Sequence, residues 1–204
     1  MSIVKLSNNG VKNATAFGSI SSLGSMTFIK KLTASSSATL SFVDGSDGVV
    51  LDDTYKEYLF TFKNIHASNA QDLSFQTSTN GGSSYGVTAT TTNFRAYHAE
   101  DDSGATLEYT AGADLAQSTN FVLLNYGSVG TDNDDNCVGT LTLYNPSSTT
   151  FVKHFISNTN TSIAYSIENF TAGYFNSTSA INAVQFKMSI GNIDAGDICL
   201  YGIA

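Results

Sequence analysis

Apolar and polar residues alternate with a period of two along most of this chain. The clearest run is residues 57–65, where Tyr58, Phe60 and Phe62 fall on one side and Leu59, Thr61 and Lys63 on the other. Successive side chains of a strand point to opposite faces of a sheet, so the run predicts a half-buried strand. The same reading predicts strands over residues 25–32 and 37–43, the latter with Ala38, Leu40 and Phe42 alternating. It predicts further strands at Leu73, Phe75 and Thr77, then over 85–98, 105–109, 120–125, 137–144, 151–157, 163–167 and 173–175. In residues 181–203, Val184, Phe186 and Met188 alternate, the turn residues 191–196 follow, and Ile198 and Leu200 resume the pattern. Two such runs around Gly, Asn and Asp predict a closing hairpin. Asn80-Gly81-Gly82 predicts another hairpin turn.

Residues 113–117 fit a single helical turn, but no helical period persists for two turns. Roughly ten to twelve short strands separated by turn signals predict an all-β sandwich or barrel. Its expected core is Phe60, Phe62, Phe75, Leu141, Leu143, Val184, Phe186, Met188, Ile198 and Leu200. Residues 1–24 are small, polar and punctuated by glycine. They read as an extended N-terminal arm for attachment or assembly, ahead of one sandwich domain over residues 25–204.

Composition narrows the class. Of the 204 residues 41% are hydrophobic, enough for a core, and only 13% are charged, about half the usual share. The polar surface is therefore built from Ser, Thr and Asn, which suit a pleated sheet better than solvent-exposed helices. A net charge of −8, with Lys30-Lys31 as the only basic doublet, argues against nucleic acid and anionic membranes. No apolar run reaches the roughly 20 residues of a membrane helix, and the first residues lack a signal-peptide layout. Cys137 and Cys199 are too few for a disulfide framework and are expected to be reduced, as in a cytoplasm.

Candidate chemistry is sparse. His66, His98 and His154 are scattered, and His98 with Glu100, Asp101 and Asp102 reads as a strand end followed by an acidic turn. The loop TDNDDN places Asp132, Asp134 and Asp135 close together, and carboxylates so grouped are the candidates for a hard divalent cation. The loop lacks the glycine and glutamate of an EF-hand. Among Asp52, Asp53, Glu57, Glu100, Glu108 and Glu168 no spacing singles out an acid pair, and no nucleophile elbow or phosphate loop is present. The expectation is a protein that is not an enzyme and carries no cofactor. Tyr85, Tyr97, Tyr165 and Tyr174 are the candidates for a protein or glycan contact.

Several phrases resemble virion structural proteins of marine tailed bacteriophages. They are YLFTFKNIHASN, SFQTSTNGGSSYGVT, NPSSTTFVKHFIS, AGYFNSTSAINAVQFKM and the closing FKMSIGNIDAGDICLYGI. Together they cover about residues 56–204. The resemblance implies an antiparallel β-sandwich of jelly-roll type. It implies a non-enzymatic component of the virion exterior, made in the host cytoplasm, that decorates the capsid or forms a short fibre. The expected partners are other virion proteins and further copies of the chain, as a homo-oligomer with a trimer favoured. The alternative is a receptor-binding fibre module that recognises a host surface glycan.

Overall fold

The computed structural model describes residues 26–204. The arm expected over 1–24 lies outside them. Twelve strands account for the regular structure: β1 (Met26–Thr33), β2 (Leu40–Val43), β3 (Glu57–Ala67), β4 (Leu73–Ser78), β5 (Ala89–Ala99) and β6 (Ala105–Tyr109). Then come β7 (Val122–Leu123), β8 (Asn136–Tyr144), β9 (Lys153–Ser162), β10 (Tyr165–Phe175), β11 (Ala183–Met188) and β12 (Ile193–Ile203). They form an eight-stranded sheet in the order β1-β12-β3-β8-β9-β10-β5-β6 and a four-stranded sheet in the order β2-β11-β4-β7. Every pairing is antiparallel.

The strand order defines a jelly roll once β5, β6, β9 and β10 are set aside. The rest pair as a nested ribbon: β4 with β7, β3 with β8, β2 with β11, and β1 with β12. Alternate rungs of that ribbon lie in opposite sheets, as in a rolled double-sheet sandwich. The remaining strands are two local hairpins inserted into the ribbon. The β9–β10 hairpin pairs with β8, and β5–β6 joins it through β5 and β10. They extend one sheet well beyond the other.

Two predicted hairpins are corrected. β11 and β12 flank the turn near Gly191, but β11 belongs to the small sheet and β12 to the large one. Gly81 and Gly82 adopt positive φ of 69° and 78° as a turn requires, yet β4 and β5 also lie in different sheets. In both places the chain turns a corner of the sandwich. Each flanking strand buries an apolar face, which two strands on opposite walls of one core do as well as two strands side by side. The helical turn expected over 113–117 is irregular chain instead, entered by a turn that Ala113 closes on the Thr110 carbonyl and bent again at Gln117, which has a φ of 48°. Its backbone lies along β5, with Leu115 and Ser118 exchanging hydrogen bonds with Thr91 and Ala89.

The core between the sheets is aromatic. Phe186 of β11 lies 5.3 Å from Phe60, 5.4 Å from Phe62, 6.1 Å from Phe75 and 6.2 Å from Phe42, ring centre to ring centre. Phe75 in turn meets Phe155 at 5.0 Å and Phe175 at 5.7 Å, carrying the core under the extension. All ten core residues expected from the sequence are buried.

Beyond Phe155 and Phe175 the inner face of the extension becomes polar. Ser157, Thr159, Thr161, Asn169, Thr171 and Asn93 are buried there. The segment 110–130 covers them, irregular apart from the two-residue β7, and most of its backbone groups need partners that a ladder would otherwise supply. Thr159 donates to the Leu124 carbonyl at 2.6 Å, and the Tyr126 N–H donates to Asn169 Oδ1 at 3.0 Å. Polar side chains are the physical requirement of packing strands against irregular chain.

Lys153 begins β9 and is fully buried next to Phe175. Its Nζ donates to the Ser177 carbonyl at 3.1 Å, and no carboxylate pairs with it among the described residues. Burial holds its pKa below the ordinary lysine value. The unfolded chain titrates this group near 10.4, about as a free lysine does. Between the lowered folded value and that point the unfolded state binds more protons, so stability rises with pH across the window and falls again as pH drops through the folded pKa. Lys153→Met is expected to raise stability at pH 7 by about 1–3 kcal/mol, because a buried unpaired charge is replaced by an apolar chain of similar length. It should also remove the alkaline gain, which thermal unfolding of both forms at pH 7 and pH 9.5 checks.

Candidate functional site

The polar inner face opens to solvent at the end where β9 turns into β10. Ile163 and Ala164 make that turn, with Ala164 at a positive φ of 49°. Tyr165 and Ile167 follow on β10, and antiparallel register sets Tyr97 opposite Ile167 and Arg95 opposite Asn169. Arg95, Tyr97, Ile163, Ala164, Tyr165 and Ile167, with Gly127, line a cleft of about 500 Å³.

Arg95 forms its polar wall. The guanidinium donates from Nε to Glu108 Oε1 at 2.8 Å, and Nη2 lies 2.7 Å from the same oxygen. Nη1 donates to the Tyr126 carbonyl at 2.9 Å. The group sits 5.1 Å from the centres of both the Tyr97 and the Tyr126 rings. A desolvated guanidinium between two aromatic faces gains cation–π attraction in addition to its ion pair. Tyr97 meets Tyr165 edge to face at 5.8 Å, completing an aromatic flank.

The opposite rim is the segment 125–128, tied down by Asp72. Its Oδ1 accepts from Ser128 N at 2.8 Å and from Gly127 N and Asn125 Nδ2 at 3.3 Å. Burial raises the Asp72 pKa, opposed by those backbone donors and by the Arg95 charge. Gly127 has a φ of +125°, and a Cβ there would stand 2.9 Å from Ile167 Cδ1 and 3.0 Å from Arg95 Nη1. Only glycine lets this rim approach so closely.

The four candidate tyrosines fall in three places. Tyr97 and Tyr165 share the cleft. Tyr85 lines a separate depression with Thr79, Ser84 and Asn176, and Tyr174 meets His154 at 5.9 Å on the outer face of the large sheet. Arg95 and Glu108 were not singled out as a pair by the sequence. The available signal was one cation between aromatics in mid-strand, Phe94-Arg95-Ala96-Tyr97.

The acidic loop folds on itself. Asp135 accepts from the Asp132 N–H at 3.2 Å, its own N–H donates to the Asp132 carbonyl at 2.9 Å, and its carboxylate packs against Gly130. Asp132 and Asp134 are exposed, and their carbonyls contact His66 Nε2 and Ser162 Oγ. Among the described residues no three His, Cys, Asp or Glu side chains are grouped to hold a metal ion. His66 lies 3.5 Å from Asp194 and His98 3.2 Å from Asp102, so the histidines stay apart. Both cysteines are buried and free. Cys137 pairs with Ile65 and Cys199 with Thr61 along β3, a separation of about 13 Å in strand rise. Burial pushes the Cys137 thiol up to about 12, which keeps it from acting as a nucleophile.

Set against models of protein families, curated proteins and solved structures, the chain matches none.

Proposed function

We propose that this chain is a non-enzymatic structural protein of the exterior of a tailed-phage virion, decorating the capsid or forming a short fibre, and that it assembles as an oligomer with its own copies. The observation that carries the proposal is the outer face of the sheet extension. Phe94 and Phe170 stack there at 4.8 Å, flanked by exposed Tyr109, Leu107 and Ile156. Across β9, β10, β5 and β6, register places Glu168 as the single carboxylate on that face. An exposed cluster of large apolar side chains on an otherwise polar protein marks an interaction surface. The five-residue edge strand β6 beside it offers unpaired backbone groups to a neighbour. The jelly roll adds support by analogy only, since capsid and lectin domains share it.

Antibody labelling of intact particles, read by cryo-electron microscopy, tests the location. The expected result is label on the capsid lattice or the tail, and absence of the chain from purified particles sinks the proposal. In solution a discrete homo-oligomer, with a trimer favoured, is expected by native mass spectrometry, and Phe170→Lys should dissociate it.

A second reading, a fibre module that binds host glycan, is favoured by the cleft between Arg95, Tyr97 and Tyr165.

A further inference from the structure

We propose that this cleft binds one neutral sugar unit, with Tyr97 and Tyr165 supplying the apolar contact and Arg95 the hydrogen bonds. The inference rests on the glycan-binding reading and gives it a site and a ligand class.

The chemistry of the walls selects the ligand. A guanidinium carries five N–H donors. Protein acceptors take the Nε–H and one proton on Nη1, and Nη2 lies 2.7 Å from Glu108 Oε1, so at least one donor remains on each terminal nitrogen. The phenol groups of Tyr97 and Tyr165 make no hydrogen bond within the described residues, whereas the Tyr109 hydroxyl is committed to Asp114 at 2.6 Å. The cleft thus presents free donors and hydroxyls beside aromatic rings and the aliphatic chains of Ile163 and Ile167. An apolar ligand would bury those polar groups without partners, at a cost that grows with each one. A pyranose ring has what the walls lack. It offers an apolar C–H face to an aromatic ring and a belt of hydroxyls that accept from a guanidinium and exchange with phenols.

Charge excludes the acidic alternatives. Glu108 already neutralises Arg95, and the chain as a whole carries −8. A carboxylate sugar or a phosphate would meet no uncompensated cation among the lining residues. Size agrees as well, since about 500 Å³ lies within the range of roughly 300–1,000 Å³ typical of small-molecule sites.

The site is also organised before any ligand arrives. Glu108 and the Tyr126 carbonyl fix Arg95, Asn169 fixes Tyr126, and Asp72 fixes the rim at Gly127 and Ser128. Groups already held in place lose little freedom on binding. A shallow site for one sugar binds weakly, and copies on an oligomer multiply it by about 10²–10⁴ when they engage together.

The test uses the full chain in its native oligomeric state. Saturation-transfer NMR is run with galactose, glucose, mannose, N-acetylglucosamine, glucuronic acid and sialic acid, and a glycan array follows. The expected result is binding of at least one neutral sugar in preference to the acidic ones. Tyr165→Ala should weaken it about tenfold, as expected for a lost ring contact and its desolvated surroundings. Tyr165 is 39% exposed at a turn, so this variant should keep its circular dichroism and melting temperature. Tyr165→Phe, which loses only the hydroxyl, should fall between the two. Sugar binding that neither Tyr165→Ala nor Tyr97→Ala changes places the site elsewhere and overturns this inference while leaving the glycan reading standing. Preference for acidic sugars, or loss of binding on chelation with EDTA, overturns the ligand class and the site respectively. No binding to any glycan by the oligomer overturns the glycan reading itself.

Discussion

Replacing Phe186 by alanine is expected to remove about 3–5 kcal/mol of folding stability, the usual range for emptying a buried aromatic site. Four rings surround this side chain, from β2, β3 and β4, and among the described residues it is the only ring that touches both Phe62 and Phe75. Those rings stand on two sheets held by their own backbone ladders, so they can close only part of the void. Urea unfolding should show a lower midpoint with an unchanged slope. Phe151→Ala is the control. That ring is 69% exposed, and its loss should move the midpoint by no more than about 0.5 kcal/mol in equivalent stability. A small effect of Phe186→Ala would show that the two sheets are not joined through this ring.

Gly139→Ala is expected to be as damaging, for a different reason. Gly139 lies in β8 between Phe62 of β3 and Thr159 of β9, at a φ of +153°. A Cβ there would strike the Asn158 carbonyl and lie 2.7 Å from Thr159 Cα. These are backbone atoms of the neighbouring strand and cannot rotate away. The methyl group must therefore prise β9 from β8, the ladder that joins the jelly roll to its extension. A cost of about 3 kcal/mol or more is expected, combining overpacking with a disfavoured backbone. Gly81→Ala separates the two contributions. Gly81 also has a positive φ, but nothing lies within 4 Å of its added carbon, so only about 1 kcal/mol should be lost. Hydrogen exchange should then locate the Gly139→Ala damage, with protection lost first in β9 and β10.

Strands whose inner face is apolar were legible in the sequence, and those that bury hydroxyls were not. β3, β8 and β11 show their alternation through Tyr58, Phe60, Leu141, Leu143, Val184 and Phe186, and their expected and observed limits agree closely. β9 was expected to stop at residue 157, yet it runs to Ser162, because Ser157, Thr159 and Thr161 are its inward residues. Against outward Asn158 and Asn160 they leave no hydrophobic contrast to read. The turn between β9 and β10 was equally hidden. Ile163-Ala164 contains no Gly, Asn or Pro, and Ala164 takes its positive φ under the constraint of the ladder on either side. Turn chemistry elsewhere announced that the chain reverses, but not whether it returns to the same sheet. That choice lies with distant partners such as β3 and β1 for β12.

The cleft was half legible. Tyr97 and Tyr165 stood out as tyrosines suited to a protein or glycan contact, while their meeting depends on the pairing of β5 with β10, which no local pattern encodes. Arg95 gave a weaker signal still, since a single mid-strand cation is common on solvated faces. What makes it special is the segment 125–128 laid over it by Asp72, and that contact joins residues more than fifty positions apart.

The nested ribbon also dictates what the ribosome can complete and when. β12 is the last of the twelve strands to be synthesised, yet it is an inner strand of the large sheet, inserted between β1 and β3. Until it emerges, β1 has no strand partner among the described residues and β3 shows an open edge beside its pairing with β8. β5 likewise waits for β10 before it joins the sheet. The nascent chain therefore carries exposed pairing edges until β12 emerges, the condition under which strands find partners in other chains. A chain cut short anywhere before Ile193 would take from β1 its pairing with β12 and leave Phe60 and Phe62 uncovered on that side.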